Sequence, residues 1–526
     1  MLVHAAGLQR RAAGARARRG TPQGLHLRRL CRWAGAGVND PGSITALRER
    51  HGERYRWLLL MAVMVGTMAS IMSSTVVNVA IPDMTHHFAL SQERAQWVSS
   101  GFMVAMTVSM LTTPWLLSRY GYRRTYAGTM LLLMAGGIGG GLAAQFPLVL
   151  AARVAEGLAA GVVQPIPAII MLRAFEPHEQ GRASGLFGMG VVLAPALGPS
   201  IGGLLVDWWG WRSIFFMVVP FCLLSLWLAY RYVPTSAPGG AAADGTGPGL
   251  DWRGLLLGSA GTLCLLNGLV EVRGGDPALA ATLLGGALAA LAATITWLRR
   301  AQRTGREPLL NLALFGNRTF AMGSLVAFIY GIALFGSTYL LPVYMQLALA
   351  LPASHVGTIL LPSGVVLAIT IGIAGRLTTR LPTRVMVAGG LVLLALSFAL
   401  MPTVGLQSPL ALLVAWAVLG RIGLGFILPS LNLGAMRSLD KGHIAQGASA
   451  INFLRMLGGA AGVSLCAIVL EWRLAVHGDA LTRAGTSPQR LAAFNESFLL
   501  LAAICALAVV AAWQLRDAPR PAPPAQ

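Results

Sequence analysis

Fourteen runs of mostly apolar residues, each near the length a helix needs to cross a hydrocarbon core, leave this chain few folds to choose from. They lie near residues 57–82, 96–117, 125–145, 147–172, 183–206, 213–232, 254–270, 278–298, 319–347, 354–375, 384–402, 409–430, 444–470 and 496–515. Backbone N–H and C=O groups inside lipid find no water to bond, so each run reads as a helix. The expected fold class is an all-α polytopic membrane protein. Composition agrees: 11% of the residues are charged and mean hydropathy is +0.66, whereas a soluble chain is about 25% charged. Cys31, Cys222, Cys264, Cys466 and Cys505 are odd in number and all but Cys31 lie in apolar runs, which excludes a disulfide framework.

A formal charge of +21 invites a nucleic-acid reading, and the position of that charge argues against it. Much of it sits in residues 1–56, a basic stretch without apolar periodicity, groove-reading helix or stacking aromatics. It reads as a disordered cytoplasmic tail that helps to orient the first span, or as an upstream stretch translated ahead of the true start. The first apolar run is too long for a secretory signal and lacks a small-residue cleavage site. Short cytoplasmic loops collect arginine and lysine. Arg119, Arg123, Arg124, Arg173, Arg182, Arg231, Arg299, Arg300, Arg303, Arg306, Arg376, Arg380, Arg384, Arg437 and Lys441 all fall on one side if the spans alternate. One orientation therefore fits, with both termini cytoplasmic.

The chain also repeats itself. The loop Leu116-Leu117-Ser118-Arg119-Tyr120-Gly121-Tyr122-Arg123 recurs as Leu377-Thr378-Thr379-Arg380-Leu381-Pro382-Thr383-Arg384, Pro82 pairs with Pro342, and Arg153 pairs with Arg421. Repeated halves around a central site are common in transporters. The expected parts are the basic tail 1–56, a six-helix bundle 57–232, a Gly/Ala/Pro-rich cytoplasmic linker 233–253, two inserted helices 254–298, a cytoplasmic loop 299–318, a second six-helix bundle 319–515 and a short cytoplasmic tail 516–526.

Absences prune the chemistry. The single lysine, Lys441, is followed by Gly442 and lies in a loop, so there is neither a Gly-Lys-Ser/Thr phosphate loop nor an intramembrane Schiff base. The nine histidines sit in tails or near helix ends, leaving no imidazole cluster for haem or metal. No enzyme, no cofactor and no metal site is expected. What is present favours movement. The fifth run carries Gly190, Ala194, Gly198 and Gly202 at four-residue spacing, a smooth face for close helix approach, with Pro195 and Pro199 interleaved where a helix can bend.

The stretch Gly190-x-x-x-Ala194-Pro195-x-x-Gly198-Pro199-x-x-Gly202-Gly203, with Trp211-Arg212-x-x-Phe215-Phe216-x-x-Val219-Pro220 after it, resembles the antiporter motif of the major facilitator superfamily. Thr75-Val76-Val77-Asn78-Val79-Ala80-Ile81-Pro82, Arg153-x-x-Glu156-Gly157-x-x-x-Gly161 and Asn452-Phe453-Leu454-Arg455-x-x-Gly458-Gly459 follow the same family in order. The whole is similar to its fourteen-helix drug:proton antiporter branch of EmrB/QacA type. The resemblance implies a major facilitator fold, proton-coupled efflux of small amphiphilic compounds by alternating access, a bacterial inner membrane, and a periplasmic adaptor as a partner beside the lipid bilayer. An importer or uniporter of a specific metabolite is the alternative. The chain departs from the family where Pro114 and Ser118 replace a glycine and an aspartate in the loop that keeps Arg119, Gly121 and Arg123, where Ser73 replaces an acid, and where Glu156 replaces a glutamine.

Charged residues inside a membrane are costly and commonly functional. The core holds one clear carboxylate, Glu156, against Arg153, Arg421 and Arg455, an excess that favours neutral or weakly anionic cargo. Glu156 and Ser73 are equally far in sequence from the outer helix ends marked by Pro147 and Pro82, so the carboxylate has changed helix at constant depth. Glu156 is the expected proton carrier, with Arg153 its partner. A permanent ion pair between the two is the structural alternative. Candidates for the substrate cavity are Ser73, Asn78, Phe328, Phe335, Tyr339, Gln346, Arg421 and Arg455, for each of which ordinary helix packing is the competing account.

Overall fold

The computed structural model describes residues 44–90, 92–235, 249–274, 276–306, 308–480 and 486–515. The expected tails up to residue 43 and from residue 516, and the linker over 236–248, lie outside the described residues. Within the stretch read as a basic tail, Ile44–His51 is a short helix (α1). Contacts divide the chain after Glu53 into two units, and the larger runs from Arg54 onward.

The larger unit is helical throughout its described residues: α2 (Tyr55–His87), α3 (Gln92–Ser109), α4 (Thr113–Leu142), α5 (Phe146–Val163), α6 (Ile166–Ala174), α7 (Gln180–Trp209), α8 (Ser213–Tyr232), α9 (Trp252–Gly274), α10 (Pro277–Arg303), α11 (Arg318–Val343), α12 (Ala353–Leu377), α13 (Thr383–Leu400), α14 (Leu410–Arg437), α15 (Ile444–Val476) and α16 (Pro488–Trp513). Among the described residues, twelve segments are long and apolar enough to cross a membrane. One of them, Trp97–Leu142, contains two of the expected spans. It is broken at Gly121, whose φ of 76° and ψ of 174° suit a residue without a Cβ. The α7 segment, read as the fifth span, is a continuous 30-residue helix but is not among the twelve.

Helix starts follow local chemistry. The side chains of Asp276, Asn317 and Ser487 accept bonds from the first free N–H groups of α10, α11 and α16. Lateral packing relies on missing side chains, the usual means of helix association where lipid is as apolar as leucine. A Cβ at Gly157 or Gly161 of α5 would come within 2.4 Å and 2.1 Å of backbone carbonyls in α3. Gly458 and Gly462 of α15 approach the α11 backbone in the same manner. The hairpin α9–α10 is tied down at its base by Asp251, which accepts from Trp297 Nε1 at 2.8 Å, Gly254 N at 2.9 Å and Leu309 N at 3.1 Å. Its α9 rests on both α3 and α15.

The α2–α8 and α11–α16 groups meet most closely at the end of the molecule that carries Arg119, Arg173, Arg376 and Lys441, here termed the basic end. There α7 crosses α12 so tightly that a Cβ on Gly375 would lie 2.4 Å from the carbonyl oxygen of Gly181 and 2.6 Å from the Cα of Gly185. Two arginines close the same seam reciprocally. Arg173 donates from Nη2 to the Lys441 carbonyl at 2.7 Å. Arg437 donates to the Pro177 carbonyl and to Gln180 Oε1, each at 3.3 Å. The spacing from Arg173 to Arg437 equals that from Pro177 to Lys441, so each half holds the other by the repeat-related arginine and carbonyl.

Hydrogen bonds from charged donors contribute more than neutral ones where they are shielded, and these two solvent-exposed ones contribute about 0.5 kcal/mol or more each. The variant R173A/R437A therefore shifts the equilibrium toward a state open at the basic end by roughly fivefold or more. The readout is maleimide labelling of a cysteine placed at Thr378, whose hydroxyl faces Gly181. Labelling at the wild-type rate would show that the two arginines do not hold the seam.

Candidate functional site

Three helices build a polar cluster inside an otherwise apolar bundle. From α5, Arg153 and Glu156 project one turn apart, both about 1% exposed, with Nη1 to Oε2 at 2.5 Å. From α2, Ser73 donates its hydroxyl to the same Oε2 at 3.1 Å and accepts from Arg153 Nη1 at 3.0 Å. Arg153 also donates to the backbone carbonyls of Ser73 and Val98, both at 3.2 Å, while its guanidinium lies 4.3 Å from the centre of the Phe102 ring on α3. Such a ring face attracts a desolvated cation.

The cluster exists because neighbouring helices make room for it. A Cβ on Gly136 of α4 would sit 2.6 Å from Glu156 Cγ, and one on Gly137 would sit 2.8 Å from the Phe215 carbonyl of α8. The carboxyl group thus points into the interior of its own bundle, between α2, α4 and α8. Ser73, expected on a cavity wall, is buried and taken up by this cluster. Two polar atoms remain without a partner among the described residues, Glu156 Oε1 and Arg153 Nη2. Burying an ion pair is repaid only when its remaining lone pairs and protons are bonded. This pair is therefore held in place yet incompletely satisfied.

The other half treats its charges differently. Arg455 of α15 donates to Asn452 Oδ1 at 2.7 Å, and Asn452 donates in turn to the Ala448 carbonyl at 2.9 Å. Arg421 of α14 is half-buried, and Tyr330 of α11, 3% exposed, interacts electrostatically with both guanidinium groups. Tyr330 escaped the sequence reading. Its signal was there, since it is the one hydroxyl-bearing aromatic near the middle of that span.

The remaining candidates do not converge. Asn78 is exposed and accepts from Ser99 at 2.7 Å. Phe335 rests on Gly459 and lines a cavity of about 290 Å³ with Met103, Thr107, Asn267, Met456 and Val463. Phe328 contributes mainly backbone to the contact with Gly458, Tyr339 is half-buried, and Gln346 is exposed. Of the three aromatics, Phe335 lines this cavity, and Phe328 and Tyr339 do not.

The glycine motif has a partner the sequence did not name: Gly190 faces Met64, while Gly198 and Gly202 face Thr75 and Val76, all on α2. Gly203 meets nothing, Pro195 is exposed, and Pro199 lies within the unbroken helix. In the loop motif, Gly121 supplies the break. Arg123 donates from Nε to the Val233 carbonyl at 2.8 Å and lies over Tyr230, tying α4 to the end of α8 within one half. Arg119 is also engaged.

Comparison with known proteins places this geometry. Residues 63–463 match the family described as the Major Facilitator Superfamily. A relative named multidrug resistance protein B homolog, from Mycobacterium tuberculosis strain H37Rv, is 28% identical over 79% of this chain and 77% of its own. The lincomycin resistance protein LmrB of Bacillus subtilis is 24% identical over 78% and 85%. Among solved structures, the proton:xylose symporter XylE superposes with a TM-score of 0.61 at 14% identity, covering 88% of this chain and 96% of that one, which shows a shared fold. A transporter in the lipid bilayer that carries small molecules, and not an enzyme, is what these helices form: the chain belongs to the Major Facilitator Superfamily.

Proposed function

We propose that the protein is a secondary active transporter that exports small amphiphilic compounds or drugs in exchange for protons. It is read as a fourteen-span member of the EmrB/QacA type with both termini in the cytoplasm of a bacterial cell. The fourteen count takes Trp97–Leu142 as two spans divided at Gly121 and adds α7 to the apolar segments. The bundles 57–232 and 319–515 are the two rocking bodies, and the hairpin 254–298 is the insertion. Relatives named for multidrug and lincomycin resistance support the direction of transport. No residue of the site speaks for a periplasmic adaptor, and the proposal does not include one.

One observation carries the proton coupling: a buried carboxyl group with one oxygen bonded to Arg153 and Ser73 and the other oxygen unpartnered. Burial favours the neutral form of a carboxyl and a guanidinium favours the charged form, so their balance depends on separation and hydration. In the closed cluster the two charges hold each other. When α2 and α5 shift relative to one another, Ser73 withdraws from Oε2 and the carboxyl becomes free to take a proton. The burial and close contact of the two charges favour the rival reading of a permanent ion pair, which leaves proton dependence to another site.

Two outcomes test the proposal. Accumulation of a compound panel in an efflux-deficient host falls when the gene is expressed, and a protonophore restores it, while moderate ATP depletion with the gradient held does not. Accumulation unchanged for every compound sinks the efflux reading. In proteoliposomes, Glu156→Gln reduces transport driven by a pH gradient to background while substrate binding persists. Uphill transport with unaltered proton dependence in that variant assigns Glu156 to the permanent pair.

A further inference from the structure

The two repeats differ most in how they treat one arginine. Arg153 and Arg421 each lie in the fourth span of their half, Arg421 one turn further along its helix in the register that relates Arg173 to Arg437. Arg153 has Glu156 three residues on, whereas the residue three after Arg421 is Leu424, 1% exposed. The second half has a cation in this span with a hydrocarbon where the first half has a carboxylate. A guanidinium does not give up its proton inside a protein, so the charge stays.

The buried arginines elsewhere are answered by acids. Arg153 has Glu156, and Arg490 lies 3.3 Å from Asp479. Neither Arg421 nor Arg455 has a carboxylate partner among the described residues. Among those residues the Arg421 guanidinium has no hydrogen bond to protein at all, and Arg455 uses one N–H, on Asn452. Both stand near the middle of their helices, and α11 brings Tyr330 to them. A Cβ on Gly331 would lie 2.0 Å from the Arg455 carbonyl, which fixes the neighbouring phenol beside Arg455.

A cation without an acid is costly in a membrane unless something negative visits it. We propose that Arg421 and Arg455, with the Tyr330 hydroxyl, bind the anionic group of a small organic acid carried by the protein. The two planar forks supply donors for both carboxylate oxygens, and the phenol supplies a further one. Met456, next in sequence to Arg455, lines a mostly apolar cavity with Phe335 and Gly459, and the proposal seats the apolar body of the acid there. The cargo class is thus an amphiphilic carboxylate. This inference rests on the proposed transport function and assigns its substrate.

The test uses the full chain in nanodiscs of zwitterionic lipid, with 2-naphthoate, its neutral amide and a naphthylmethylammonium as probes. Naphthoate binds at least about tenfold more tightly than the amide, and the cation does not compete. Arg421→Gln and Arg455→Gln each remove that preference while leaving amide binding unchanged. Leu424→Glu restores to this half the acid its counterpart has and weakens naphthoate binding without removing either arginine. Equal binding of naphthoate and amide to the unaltered protein overturns the assignment whatever the variants do. Displacement of naphthoate by phosphatidylglycerol added to the nanodiscs, together with no naphthoate transport in vesicles, overturns it in favour of a lipid headgroup. Continued export of neutral compounds in either case leaves the transport reading intact, while loss of all export would remove both.

Discussion

An arginine in the middle of a bilayer keeps its charge, and the surrounding helices must answer it. Much of the arrangement around Arg153 follows from that requirement. Ser73 must present both its hydroxyl and its carbonyl, which fixes the rotation of α2 against α5. Val98 must offer a carbonyl and Phe102 a ring face, which fixes α3. Gly136 and Gly137 must lack side chains so that α4 can close over the carboxyl. Four helices of the first half are thereby locked in register by a single guanidinium and its acid. Removing one partner of such a pair leaves the other uncompensated, a loss of about 3–5 kcal/mol in buried sites.

Rigid bodies formed this way need a seam along which to move. Within each half, glycine faces bring backbones together over long lengths, Gly157 and Gly161 in one and Gly458 and Gly462 in the other. Between halves, the closest approach is confined to the basic end, where Gly181 and Gly185 meet Gly375 and two exposed arginine bonds span the gap. Between halves, α7 packs on α12 over about two turns, from Gly181 against Thr378 and Gly375 to Gly188 against Ile371, and the two arginine bonds beside it are solvent-exposed, where a bond is worth less than in a buried core.

Much of this was legible in the sequence because a helix rises uniformly. Equal spacing of Ser73 and Glu156 from Pro82 and Pro147 implied equal depth, and the two side chains meet at 3.1 Å. The apolar runs all fall on helix, and the loop around Gly121 marks a true break. Azimuth was not legible, since hydropathy is nearly uniform around a buried span. Ser73 therefore read as a cavity residue when it faces the bundle interior. Tyr330 was passed over in favour of Phe328, Phe335 and Tyr339, whose spacing made a stripe. The seam arginines were visible only as loop charges, because their acceptors are backbone carbonyls of Lys441 and Pro177, which any residue could supply. Likewise, the motif glycines drew attention from Gly181 and Gly185, whose backbones make the tighter contact.

Repeats of common descent start with equivalent positions, so the places where they stop matching show how labour has been divided. At Arg153 the chain has placed its own acid on the neighbouring turn and sealed both from the cavity side, a site suited to holding or exchanging a proton and poorly suited to a bulky ligand. At Arg421 the same turn offers Leu424, and Arg455 adds a second cation where Tyr330 supplies a hydroxyl. A compensated pair and an uncompensated pair respond in opposite ways to an incoming anion: the first repels or ignores it, the second gains from it. Under the proposed function, coupling and recognition are separated onto different halves and joined by the rocking of one half against the other. A ligand acts on that motion only through the difference between its affinities for the two states. An acid bound by α14 and α15 changes the balance at the seam only if Arg421, Arg455 and Tyr330 converge better in one state than in the other.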